Sequence, residues 1–413
     1  MTSACLLALA LLGLFQLLPL PSGLLATLSP ASAEVYSGAA SLFAASGSAA
    51  APTPRISIAP GETRAVALLA ASYAAALLAA ATLLHGRNRR RAFAAVLLAS
   101  MAVQAAWAVS TEQETGRVSG PFFNPDHFGG YLGIGLSLAF GGLVVGLTGR
   151  PHQRGPVHVS SIERRLATGS LGVLLWAFFA SALALTHSRG AMLAAAATTL
   201  FLAGLALGGR FRRDEGASSR RRATLAAGLA LAVLFVVAAL GSRPLLRFLS
   251  TDPRDLGADT RVLLWTHSLE AWKSYPVFGS GLGTFREAFR VVQPRELDSL
   301  VEAAHGDFLQ LLVTGGALGA LLGVAAWVSL AWLLLRAALL RVRHEEGAFA
   351  LGGLGAIVFI ALHGLVEFNL SIPATATTLA LVAGAAAAAS VRSAEARPGR
   401  GPASSGSETT TTP

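Results

Sequence analysis

The sequence predicts an all-α fold: a polytopic transmembrane bundle of about ten helical spans, with one long outer loop carrying short amphipathic helices. Three observations predict it. Hydrophobic residues make up 53% of the chain and charged residues only 13%, whereas a soluble domain carries about 25% charged residues. Apolar runs of roughly 17 to 21 residues recur, long enough to cross a hydrocarbon core of about 30 Å. The segments between those runs alternate between arginine-rich and arginine-poor.

In chain order the spans are read at 4–20, 65–84, 92–109, 128–147, 166–186, 191–208, 223–241, 317–335, 348–366 and 373–391. One set of connections holds Arg87 and Arg89 to Arg91, then Arg150, Arg154, Arg164 and Arg165, then six arginines between Arg210 and Arg222, then Arg336, Arg341 and Arg343. The positive-inside rule assigns this set, and both termini, to the cytoplasm. Loops 29–64, 110–127, 187–190, 242–316 and 367–372 then face outward. The whole is read as one transmembrane domain over 1–394, with loop 242–316 inserted. A tail over 395–413 of Pro, Gly, Ser and Thr buries too little to fold.

The first span has a second reading. Ala31-Ser32-Ala33 after an apolar run resembles a signal-peptidase site, but Met1 to Ala4 lack the positive charge of a signal peptide. Within the long loop, Val262, Trp265, Leu269 and Trp272 recur at helical spacing, with Asp259 or Thr260 in place to cap. Phe285, Phe289 and Val292 predict a second short helix after a turn over 276–283. Such helices lie on a membrane surface or pack on the bundle.

The charge of +10 reads as membrane topology, and a nucleic-acid partner is not expected. The single cysteine, Cys5, excludes an intramolecular disulfide framework and a thiolate metal site. Gly279, Gly281 and Gly283 follow no predicted strand and lack G-x-G-x-x-G spacing, so they read as a tight turn. No cofactor is expected and no metal is needed, although Asp252, Asp255 and Asp259 form a loose acidic cluster in the long loop.

Polar residues gather at the predicted outer ends of spans: the segment 122–128 (FFNPDHF), the turn 186–190 (THSRG), Arg261 and His305 in the long loop, and His363 with Glu367 closing the ninth span. Span interiors offer little beyond Gln104. Guanidinium groups grip phosphate oxygens through a bidentate fork and keep their charge. A histidine titrates near neutrality and suits proton transfer from a hydroxyl. The set Arg189, Arg261 and His305 therefore suits transfer from a lipid diphosphate. Asn124, His127, Asp307 and Gln310 are candidate substrate-binding neighbours. For Arg189 the plainer alternative is contact with lipid headgroups.

Those same segments, with 16–21 (QLLPLP), 57–68 (SIAPGETRAVAL), 259–265 (DTRVLLW), 275–285 (YPVFGSGLGTF), 304–312 (AHGDFLQLL) and 363–370 (HGLVEFNL), resemble the O-antigen ligase and polymerase family of bacterial membrane glycosyltransferases. The resemblance implies a C-type glycosyltransferase-like membrane fold in the inner membrane. It also implies an active site facing the periplasm, an undecaprenyl-diphosphate-linked glycan donor and no metal. Either a lipid A core or a growing glycan would accept. By motif position, Arg189 and Arg261 would bind the diphosphate and His305 would activate the acceptor. The chain departs from the family pattern at Gly306, Thr314 and Asp126, where asparagine, glutamate and asparagine are usual. A reading of another class is a small-solute, bicarbonate-like transporter, which would place ionisable groups near the bilayer midplane.

Overall fold

The structure, a computed structural model, describes residues 2–48, 51–111, 116–148, 159–211, 260–297, 299–341 and 345–395. The described residues form α-helices and one short 3-10 turn, and contain no strand. The helices are α1 (Thr2–Gln16), α2 (Ser22–Leu28), α3 (Pro30–Ala45), α4 (Pro60–Leu83), α5 (Arg87–Ser110), α6 (Pro125–Thr148) and α7 (Val159–Leu185). They continue as α8 (Arg189–Phe211), α9 (Thr260–Ser274), α10 (Phe285–Arg290), α11 (Asp307–Arg341), α12 (Glu345–His363) and α13 (Pro373–Glu395). Seven are long and apolar enough to cross a membrane: α4, α5, α6, α8, α11, α12 and α13. The protein is a multi-pass helical membrane protein. The predicted span 223–241, the acidic cluster Asp252, Asp255 and Asp259, and residues 396–413 of the predicted tail lie outside the described residues.

Helix α6 runs through the middle, packed on α7, α12, α8 and α5. It is glycine-rich, and this lets backbones approach closely, as small residues do between membrane helices. A side chain at Gly133 would collide with the Phe359 ring of α12, and one at Gly172 of α7 would collide with the Leu143 backbone. By contrast, α4 and α5 lie at the periphery and expose Leu68, Leu83, Val96, Val103 and Trp107. An apolar exterior of this kind belongs against lipid.

The first predicted span ends early. Helix α1 stops at Gln16, ahead of Pro19 and Pro21, and its apolar part is too short to cross alone. It is nonetheless packed against α4 and α11. The stretch 29–64, expected as a loop, contains α3 and the first turn of α4, and Ala31–Ala33 fall inside α3. Ser32 is buried there and donates to the Ile56 carbonyl at 2.7 Å.

The other main departure is in α11, which begins at Asp307 instead of at residue 317. It is interrupted at Gly316, whose φ of 64° and ψ of −168° only glycine adopts readily. The interruption frees backbone groups, and four of them find partners outside the helix. Ala317 and Leu318 N–H donate to the Pro276 and Val277 carbonyls at 2.8 and 3.1 Å. The Val313 carbonyl accepts from Ser280 N–H at 3.1 Å, and the Thr314 carbonyl accepts from Gly281 N–H and Gln16 Nε2, both at 3.0 Å. The fully buried Gln16 also accepts from Leu282 N–H at 2.9 Å. The glycine-rich segment 276–284 is thus a structural turn, as predicted, wedged between the end of α1 and the break in α11.

Candidate active site at one end of the bundle

The two ends of the bundle differ. At one, the buried Arg90 of α5 donates to the Leu84 carbonyl at 3.1 Å and lies 3.7 Å from Glu346 at the start of α12. At the other, the starts of α6, α8, α11 and α13 and the ends of α7 and α12 converge with the start of α9. Here Asp307 N–H donates to the Gly364 carbonyl at 2.8 Å. Gly190, next to Arg189, packs so closely on Val366 and His363 that a side chain would not fit.

Glu367, just past α12 and almost wholly buried, is the hub. Its Oε1 lies 3.0 Å from His305 Nδ1 and 3.7 Å from His127 Nε2, and its Oε2 lies 3.8 Å from Arg261 Nη2. The Phe368 ring stands edge-on to both imidazoles, with centroids 4.5 Å from His127 and 5.0 Å from His305. Burial opposes the charge on Glu367. The two histidines facing one of its oxygens outweigh that penalty and hold its carboxyl well below the ordinary value. A carboxylate only accepts hydrogen bonds, so His305 carries a proton on Nδ1. In the neutral ring Nε2 is then left with its lone pair.

His305 has a φ of 45°, and His187, in the turn before Arg189, has a φ of 54°. Non-glycine residues in this region cost roughly 1–2 kcal/mol and persist where the surroundings fix them. Around His187 the fixing is visible. Thr186 Oγ1 donates to the Leu183 carbonyl at 2.6 Å and accepts Ser188 N–H at 3.2 Å, and Ser188 Oγ accepts Ala191 N–H at 3.3 Å as the cap of α8. The turn thereby sets Arg189 at the first position of α8, with an exposed side chain.

Nothing in the sequence marks Arg117 as a site residue. Its Nε donates to the Thr186 carbonyl at 2.9 Å and its Nη2 to Asp126 Oδ1 at 2.9 Å. It fastens the start of α6 to the turn that carries Arg189. Of the candidate substrate-binding residues, His127 faces Glu367 directly. The other three are engaged within the protein. Asn124 Oδ1 accepts Asp126 N–H at 2.8 Å. Asp307 Oδ1 accepts Leu370 N–H at 2.9 Å. Gln310 accepts Ala304 N–H at 3.2 Å and donates to Ser371 Oγ at 3.0 Å, bracing the segment on either side of His305.

Fold and site together define a multi-pass helical membrane protein with a cationic, histidine-bearing cluster gathered at one end of its bundle around a buried carboxylate. A family model described as O-Antigen ligase matches residues 172–324, a little over a third of the chain. Over that segment the chain is similar to the O-antigen ligase family. The matched segment contains Arg189, Arg261 and His305, whereas Arg117, His127 and Glu367 lie outside it. No curated protein matches the chain.

Proposed function

We propose that the protein transfers a glycan from an undecaprenyl-diphosphate carrier to an acceptor hydroxyl at the periplasmic face of the inner membrane, as an O-antigen ligase acting on a lipid A core. The observation that carries this reading is the short contact between His305 and Glu367, with Arg261 against the same carboxylate and Arg189 on the adjoining turn. In this reading Arg189 and Arg261 grip the diphosphate. The acceptor oxygen attacks the anomeric carbon and gives its proton to Nε2 of His305. The bond from that carbon to the diphosphate oxygen breaks, and the lipid diphosphate leaves with the electron pair, its charge held by the guanidinium groups. Glu367 orients the imidazole and stabilises its charged form. Asn124, Asp307 and Gln310 support the donor pocket from behind, and His127 borders it. The guanidinium groups supply the positive charge, so we read the reaction as metal-independent.

A carrier would place its ionisable groups at mid-bundle. Here Gln104, the one polar residue noted inside a span, is occupied by Ser100 and by the Tyr131 hydroxyl at 3.3 and 3.2 Å. That favours an enzyme. The test is glycan transfer in detergent from a polyprenyl-diphosphate donor, with and without chelator. His305→Ala should slow transfer by roughly 10²- to 10⁴-fold while leaving donor binding intact. Arg261→Lys keeps the charge, loses the planar fork and should weaken donor binding. Full activity in His305→Ala would overturn the assignment. Loss of activity with chelator, restored by a divalent ion, would overturn the metal-independent mechanism.

A further inference from the structure

A second basic pocket lies at the same end of the bundle, away from Glu367. It has a volume of about 420 Å³ and opens between α3 and the segment 52–60 that leads into α4. Arg55 and Arg64 line one side, with Thr53, and Val35 and Ala39 of α3 line the other. Among the described residues neither arginine makes an ion pair or side-chain hydrogen bond, and Arg55 is half-buried. A guanidinium held in a pocket without a counter-charge is a standing invitation to an anion. Its position is fixed from below. Tyr36 donates to the Ser57 carbonyl at 2.9 Å, Ser57 and Thr63 share a 2.7 Å hydrogen bond, and Ile58 N–H donates to the Ser280 carbonyl at 2.9 Å.

The opposite wall is apolar and continues outward. Val35, Ala39 and Leu42 recur at i, i+4 and i+7 along one face of α3, and Val35 and Leu42 are 41% and 73% exposed. With 16 residues, α3 falls short of the length needed to cross a membrane and carries Glu34 as its only charge. Its exposed apolar face offers a track on which an acyl chain could lie. Paired cations at the head of an apolar track match an anionic amphiphile better than a free anion.

We propose that this pocket binds an anionic phospholipid, with its phosphate on Arg55 and Arg64 and an acyl chain along Val35, Ala39 and Leu42. The site shares a support with the transfer site. Ala31 and Ile58 pack in one apolar cluster with Leu264 and Ala304, whose neighbours in sequence include Arg261 and His305. A bound lipid would thus brace the elements that carry those residues.

The test uses the full chain reconstituted with equal phosphatidylglycerol and phosphatidylcholine, followed by native mass spectrometry of the retained lipid. Each arginine near an anionic headgroup is worth about fivefold. The wild type should therefore prefer phosphatidylglycerol by roughly twentyfold, and Arg55→Gln with Arg64→Gln should bring the two lipids close to parity. His305→Ala should leave the preference unchanged. The single exposed change Arg64→Gln, which disturbs no buried contact, should remove about fivefold even if the double variant fails to fold. An unchanged preference in Arg64→Gln, or in a folded double variant, would overturn the proposal. Displacement of phosphatidylglycerol from the wild type by inorganic phosphate alone would also overturn it, in favour of a free-phosphate site.

Discussion

Glu367 bears on His305, Arg261 and His127 at once, so a change there separates charge from shape. Glu367→Gln keeps the volume and one acceptor oxygen but removes the negative charge. It can also present an amide N–H toward His305, turning the ring or its tautomer. Glycan transfer should fall by roughly 10²-fold, at the lower end of what general-base catalysis contributes, while donor binding through Arg189 persists. The pH dependence of stability has a definite sign. The folded-state carboxyl of Glu367 ionises well below the ordinary value of 4.5. The folded state therefore binds fewer protons than the unfolded one as pH drops through that range, and the contribution of the carboxylate is complete above it and lost in stronger acid. Melting in detergent should show the wild type losing stability on acidification more steeply than Glu367→Gln. Parallel melting curves from neutral pH down to about pH 3 would show that the carboxylate is not held ionised by its neighbours.

Among the elements, α11 is the one whose geometry most constrains the site, because the segment before Gly316 begins two residues after His305. Gly316→Ala places a methyl against the Val277 carbonyl and imposes a conformation that residues other than glycine avoid. It should destabilise the protein by about 1–3 kcal/mol or more, read as a lower melting temperature, whereas Gly142→Ala in α6, where nothing lies near the added methyl, should be near neutral. The periodicity that locates helices did not locate this break, since the apolar pattern runs through it. Most spans were legible for the opposite reason: long apolar runs have few alternatives. Helix α9 shows where pattern reading fails. Its predicted stripe is split: Val262 and Leu269 are exposed, whereas Trp265 and Trp272 are half-buried against the cluster of Leu264 and Ala271. Leu264, Ser268, Ala271 and Tyr275 are the ones packed inward. At a membrane the greasiest face need not be the buried one, because lipid is as apolar as leucine and packing favours small residues. Helices α2 and α3 escaped notice because their serines, prolines and glycines break the apolar run. For the candidate site, residue type and turn position single out Arg189, Arg261 and His305. The roles of Glu367 and Arg117 were not, because contacts such as the one spanning 62 residues between His305 and Glu367 leave no periodic trace.

At the scale of the whole molecule, the bundle has an arginine-rich end and a site end, and the distribution of basic residues should decide which faces the cytoplasm. Arg87, Arg89, Arg90 and Arg91 open α5 at the end where Arg90 meets Glu346. Short basic loops of this kind stay on the cytoplasmic side. The site end carries Arg55, Arg64, Arg117, Arg189 and Arg261, but no run like that of α5, and a long loop such as that containing Arg261 contributes little to orientation. The site end should therefore face the periplasm, where a lipid-carried glycan would be presented. Single cysteines at Asn88 and Ser299, both exposed and at opposite ends, would report this in a Cys5→Ser background. In intact spheroplasts an impermeant thiol reagent should label the cysteine at 299 and spare the one at 88, with both labelled after lysis. Labelling at 88 alone would invert the molecule and place the His305 cluster on the cytoplasmic side, and the proposed transfer at the periplasmic face would fall with it.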